Sequence, residues 1–290
     1  MLVQPVLYLS IAVGALSMIS YGFSGFLISR ITRFENAIKA VFWYFLLMSI
    51  VLGIVGLLFF KPPQISELQA VLLALVSVFS VLGLVLFYKG LEAGKLAIVS
   101  PLSGTWSIVT VLISITFLGE SLSSVQMLGV ALTIAGTVLT SLKIKDIIRL
   151  KHSGLAKGSG YAIACALSWG LFYSGIGVLS KQMGWLWPIL ITGVGSAILL
   201  FFYSLAKKSG ISYPKKTSGL VLAWVAIAIV ALSLYGIGTS YGYVSVVSPI
   251  SASAPVIAVV LALFVLKEKL EPVQVLGIAV IIIGLVMIAF

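Results

Sequence analysis

Of 290 residues, 61% are hydrophobic and 9% are charged, where an ordinary soluble domain carries about 25% charged residues. A chain of this length has too little interior to hide so much apolar side chain, so the composition excludes a soluble globular domain. The net charge of +11 invites a nucleic-acid partner, but the Lys and Arg residues sit in short loops between apolar runs. There they read as topology signals, and no nucleic-acid partner is expected.

The gaps between charged residues are about 20 residues long, and a helix of that length rises roughly 30 Å, the thickness of a bilayer's hydrocarbon core. They predict ten transmembrane helices over 5–28, 40–60, 68–88, 97–118, 124–142, 158–179, 186–206, 218–236, 246–266 and 273–290. Barrel strands would need alternation, which AVLLALVSVFSVLGLVLF (70–87) does not show. The fold class is all-α integral membrane.

Span one is not expected to be a cleaved signal peptide, because MLVQPVLYLS lacks a basic start and the apolar run continues too far. It carries Tyr21-Gly22 well inside the bilayer, away from the interfacial belts where Trp and Tyr collect. Span four contains VSPLSGTW (99–106). Two readings of its Ser-Pro stand: a helix start, with Ser as N-cap and Pro at N1, or a helix already begun and interrupted by Pro101. In the second reading the Ala97 carbonyl is freed and Ser100 and Ser103 add hydroxyls beside it. Trp106 lies one turn beyond Ser103.

The hairpin GESLSSVQ (119–126) reads as structural, with Ser123-x-x-Gln126 as a capping box. Gly129 and Gly136 in span five share a face and predict close helix packing. The stretch 143–157 is a basic connecting loop that holds the single histidine, His152. Span six has Cys165, the single cysteine, then Trp169-Gly170 and Tyr173 one turn on. A lone cysteine excludes an internal disulfide, and no metal ligand set or cofactor motif exists. Span nine contains VSPISASA (247–254), with Ser248, Pro249, Ser251 and Pro255; the hairpin KEKLEPVQ (267–274) has Pro272 in an N1-like position. Gly277 and Gly284 in span ten read like Gly129 and Gly136. Tyr88, Tyr235 and Tyr241 sit nearer span ends, where belt anchoring is expected.

An offset of 148 residues superposes the two halves without a gap. It places Tyr21-Gly22 on Trp169-Gly170, Arg33 on Lys181, V-S-P-x-S on V-S-P-x-S, Glu120 on Glu268 and V-Q-x-L-G-x-A on itself. The chain is therefore a duplicated five-helix unit: 1–142, the loop 143–157, and 158–290. Five spans is an odd number, so the second copy must insert upside down. The loops agree, because each basic loop of one half has a counterpart nearly free of Lys and Arg in the other. Loops after odd-numbered spans hold 16 of the 18 Lys and Arg residues, which predicts that they are cytoplasmic and that both termini face outward.

Ten helices in two inverted repeats, each with (W/Y)-G early in its first helix, Ser-Pro in its fourth and Glu-x-Leu before V-Q-x-L-G-x-A, resemble the EamA-like branch of the drug/metabolite transporter superfamily. Tyr21, where the second repeat has Trp169, departs from the usual pattern. The resemblance implies a cell-membrane carrier of small metabolites such as amino acids, often outward, by alternating access.

In inverted-repeat carriers, interrupted helices line a midplane site. Tyr21, Ser100, Ser103, Trp106, Trp169, Tyr173, Ser248 and Ser251 are the expected substrate residues, with plain packing as the alternative for the aromatics. All seven acids fall in loops or at span ends and no Lys or Arg is mid-span, so the pocket should be nearly neutral. An intramembrane enzyme would need a positioned base or metal ligands; H-E-x-x-H and paired aspartates are missing from the sequence. A passive channel or scaffold is the other alternative.

Overall fold

The computed structural model describes residues 4–31, 34–93, 96–142, 158–208, 210–265 and 270–290. These form twelve α-helices: α1 Gln4–Ile31, α2 Ala37–Phe59, α3 Glu67–Ala93, α4 Leu96–Gly104, α5 Trp106–Phe117, α6 Ser124–Ser141, α7 Ser159–Met183, α8 Leu186–Ala206, α9 Ser218–Tyr241, α10 Val244–Ala252, α11 Pro255–Val265 and α12 Pro272–Ala289. They make ten membrane-length spans, because α4–α5 and α10–α11 are each one span broken in the middle. Apolar side chains such as Leu57, Phe117, Leu128 and Ile282 point outward all round the bundle, as a bilayer solvent requires. The loop 143–157, with His152 and Asp146, and residues Arg33, Lys267, Glu268 and Lys269 lie outside the described residues.

Local chemistry sets the helix ends. Asn36 caps α2, its side-chain oxygen accepting from the Ile38 N–H at 2.9 Å. Ser123 and Gln126 form the expected reciprocal capping box at α6, and Pro272 opens α12 behind Glu271. The Ser-Pro pairs do not start helices. α4 and α10 begin several residues earlier, at Leu96 and Val244, so Pro101 and Pro249 lie inside them. The interruption comes one turn later. Thr105 N–H donates to Leu102 O at 3.2 Å, and Ser253 N–H to Ile250 O at 3.1 Å, three-residue turns in place of the helical four. Thr105 Oγ1 and Ser253 Oγ add bonds to the Leu102 and Pro249 carbonyls.

The repeats interlock reciprocally. Gly22 of α1 lies against Ile257 and the Ala254 carbonyl; Gly170 of α7 lies against Val109 and the Trp106 carbonyl, the same contact shifted by 148 in each partner. The glycine after each aromatic therefore lets a first-span helix cross the broken span of the other repeat closely. α6 and α12 pack by the same exchange. A Cβ on Gly129 would sit 2.7 Å from the Gly284 carbonyl oxygen, and one on Gly136 would sit 2.7 Å from that of Gly277. Thr137 Oγ1 and Ser253 Oγ add a bond at 2.9 Å between the halves.

Two faces of the bundle can be told apart by their contacts. On one, Trp43 Nε1 donates to the Ile211 carbonyl at 2.9 Å and its ring meets Tyr213. This face carries Arg30, Lys39, Lys89 and Lys207, Lys208, Lys215 and Lys216 at the helix ends. On the other, Ser10 Oγ accepts from Tyr243 N–H, Gln69 bonds Gln182, and Phe60 meets Trp185.

Candidate functional site

Two neighbouring cavities occupy the middle of the bundle, of about 280 Å³ and about 210 Å³. Tyr21, Phe87, Trp169 and Tyr173 line both and form the septum between them. Tyr21 stands edge-on to Tyr173 with centroids 6.2 Å apart; Phe87 tilts over Trp169 at 5.5 Å. Trp169 reaches this position because α3 has no side chain at Gly83, where the indole lies. The larger cavity extends toward the basic face through Ile28, Val41, Tyr44 and Tyr88. Within it Trp224 Nε1 donates to Ser24 Oγ at 2.9 Å, tying α9 to α1.

The smaller cavity lies against both helix breaks. Gly104 and Trp106 line it from the first and Ala254 and Pro255 from the second. Seven of the eight residues expected from sequence, Tyr21, Ser100, Ser103, Trp106, Trp169, Tyr173 and Ser251, come together around it. Ser248 does not. It is fully buried, and its Oγ shares a 2.9 Å hydrogen bond with the Tyr235 hydroxyl, which also donates to the Tyr173 carbonyl at 3.1 Å. Tyr235 is thus a core residue rather than a belt anchor, Tyr88 lines the larger cavity, and Tyr241 is exposed as a belt residue would be. An aromatic at a span end cannot be assigned to lipid or core before the helices are packed.

None of the side chains around either cavity is charged. Three hydroxyls in the wall of the smaller one, of Tyr21, Ser103 and Ser251, are buried and make no hydrogen bond of ordinary geometry. The Tyr21 hydroxyl lies near that of Tyr173, and the Ser103 hydroxyl near the Cys165 thiol, a weak partner. A buried hydroxyl without a partner costs about 1–3 kcal/mol. Three of them around one void make a wall suited to donating to and accepting from a small polar solute. Among the described residues no group of three His, Cys, Asp or Glu is placed to hold a metal ion.

The hollow is one-sided. Trp106 stacks on Tyr173 with centroids 4.0 Å apart and the two floor the cavity, while Tyr235 meets Tyr173 edge-on at 5.0 Å from below. Below that floor the residues of α10 from Val244 to Ile250 are all buried, and Ser251 and Ala252, also buried, meet the cavity wall. In its counterpart α4, Ser100, Leu102 and Gly104 remain partly open.

A model of the EamA-like transporter family matches residues 8–142 and again 156–290. The chain belongs to this family. The EamA-like chain is a multi-pass membrane protein of a transporter family rather than of an enzyme family. It is also 38% identical, over 97 residues, to an uncharacterized protein of Methanocaldococcus jannaschii, a match covering 33% of this chain and 71% of the relative. A crystal structure of another protein superposes with a TM-score of 0.73 at 18% identity, over 96% of this EamA-like chain and 97% of its own, which shows a shared fold.

Sequence reading missed one residue of this EamA-like chain on the opposite face: Glu120. It lies in the hairpin as read from sequence, and it is also buried, 6% exposed, and bonded to the second repeat, which the sequence reading did not foresee. The signal was present, since the 148 offset that matches Glu120 to Glu268 also matches Lys181 to Arg33, an acid and a base repeated together.

Proposed function

We propose that the protein carries small neutral or zwitterionic metabolites, amino acids among them, by alternating access across the cell membrane, as an exporter or facilitator. The observation that carries this reading is the uncharged, aromatic-walled cavity with three unpartnered hydroxyls at the meeting of two broken helices. Its volume, below the 300–1,000 Å³ of drug-sized pockets, suits a small solute. With no charged clamp in the wall, a phosphate ester or a multiply charged anion has nothing to neutralise it. Hydroxyl dipoles and aromatic faces can hold a carboxylate and an ammonium together.

Closure on one face and hollowness toward the other suit one end state of a carrier whose two repeats exchange roles. The substrate would enter this state from the basic face and rest against Tyr21, Ser103, Trp106, Trp169 and Ser251. Proteoliposomes preloaded with an unlabelled amino-acid mixture test the reading. Uptake of labelled amino acid should be accelerated by the preload and saturate with concentration. Uptake that rises linearly and ignores the preload would mean a channel or scaffold.

A further inference from the structure

We infer that Glu120 is a positioning residue for transport, the latch that holds the cavity shut on its face of the membrane. The inference rests on the alternating-access reading. It is carried by three contacts of one buried carboxylate. Glu120 Oε1 accepts from Lys181 Nζ at 2.6 Å and from the Val244 N–H at 3.0 Å, and Oε2 accepts from the Ser245 N–H at 2.8 Å.

These contacts join three elements drawn from both repeats. Glu120 belongs to the α5–α6 hairpin of the first repeat, Lys181 to the end of α7 and Val244–Ser245 to the first turn of α10, both in the second. Val244 and Ser245 would otherwise leave orphan amide donors at a helix start, and a carboxylate there also meets the positive end of the helix. α10 is the broken half-helix that is buried along its whole length. Its repeat counterpart, α4, is partly open at Ser100, Leu102 and Gly104, whereas α10 reaches the cavity wall with its last two residues, Ser251 and Ala252. The two halves of the protein thus differ in which broken helix is free, and Glu120 pins the one that is not.

Opening the cavity on this face requires α10 to leave the hairpin and the end of α7, and all three contacts then break at once. Glu120 is buried while Lys181 is partly open to solvent. Removing Lys181 thus leaves a buried carboxylate without its counter-ion, and removing the Glu120 charge weakens the cap on α10. Either change is large enough to shift a two-state population by about tenfold. Loss of the latch should therefore favour opening toward the Glu120 face.

The test is two-sided cysteine labelling with a membrane-impermeant maleimide, applied to intact cells and to inverted vesicles. In a Cys165→Ala background, Leu84→Cys reports the larger cavity and Ser248→Cys reports the buried face of α10. With Glu120 intact, Leu84→Cys should label from the basic face and Ser248→Cys should resist label from both. Glu120→Gln should raise Ser248→Cys labelling from the Glu120 face about tenfold and slow Leu84→Cys labelling from the other. Lys181→Met removes the ion pair but keeps the cap on α10, so it should give the same two opposed shifts if Glu120→Gln does not fold. Lys181→Arg should restore the original pattern.

Labelling that rises at both reporters from both faces would make Glu120 only a structural residue. Labelling unchanged in both variants would overturn the latch. Counterflow by the unsubstituted protein is measured in parallel: saturable counterflow with unmoved labelling overturns the latch alone, whereas absent counterflow overturns the carrier reading.

Discussion

Trp106 of the first repeat and Tyr173 of the second stack at a centroid distance of 4.0 Å and an interplanar angle of 22°, one ring from each half of the duplication. The pair forms the floor on which a solute in the smaller cavity would rest, and it separates that solute from Ser248 and Tyr235 below. Trp106 is buried, so truncating it leaves a void as well as an open floor. Trp106→Ala should destabilise the protein by about 3–5 kcal/mol and abolish counterflow, while Trp106→Phe keeps a ring in place and should transport with a raised KM. Normal transport by a folded Trp106→Ala protein would remove the stack from the pathway.

The unpartnered hydroxyls separate binding from packing. Deleting a buried hydroxyl that has no partner removes an unmet desolvation cost, so Tyr21→Phe and Ser103→Ala should leave Tm unchanged or raise it. If these groups bind solute, KM for transport should rise several-fold at equal membrane abundance. Trp169→Ala, which removes the septum ring shared by both cavities, should weaken transport further. Wild-type transport in all three, with Tm lowered, would identify them as packing residues.

Gly136 and Gly277 leave no room for a side chain where α6 meets α12. Gly136→Leu puts atoms within van der Waals radius of backbone, which no rotamer change relieves, and overpacking of this kind costs about 1–3 kcal/mol or more. Yield of monodisperse protein in detergent should collapse. Gly25→Leu is the control, because a Cβ at Gly25 meets nothing within 4 Å.

Lysine and arginine bias predicts that the face of Arg30, Lys39, Lys89 and Lys207 is cytoplasmic and that both termini are outside. A reporter that is active only in the cytoplasm should be silent when fused after Phe290 and active when fused after Lys207. The reverse pattern would turn the protein over, and would put the latched face inside.

Proton coupling through an embedded acid is not expected. Among the described residues the buried carboxylate is Glu120, which is paired with Lys181 at the membrane face rather than aimed into either cavity. Direction should follow the substrate's own gradient. Proteoliposomes with equal substrate on both sides should therefore show no net uptake when a pH step is imposed. Uphill accumulation under the step alone would contradict this, and its loss in Glu92→Gln would assign the proton to that exposed acid.

The sequence by itself determined the solvent, the number of spans, the duplication and its inversion. Each follows from a quantity that is local or additive along the chain: apolar run length, loop charge and a constant offset. The close-packed glycines were legible for the same reason, since a residue without a side chain recurring at 129, 136, 277 and 284 has a meaning independent of its neighbours. Where the broken helices begin and bend was open between two readings, because a Ser-Pro pair is compatible with both a helix start and a helix interior.

Only the tertiary structure decided which of two equivalent residues faces the cavity. Ser100 and Ser248 occupy the same place in the repeat, yet Ser100 lines the void and Ser248 is locked to Tyr235. A duplicated sequence codes both halves alike, and one conformation cannot open both faces at once; the packing must break the symmetry that the sequence preserves. Glu120 was hidden by the same cause. Its partners Lys181, Val244 and Ser245 lie 61 to 125 residues away along the chain, and a carboxylate at a hairpin shows what it will bind only when another helix start is brought against it.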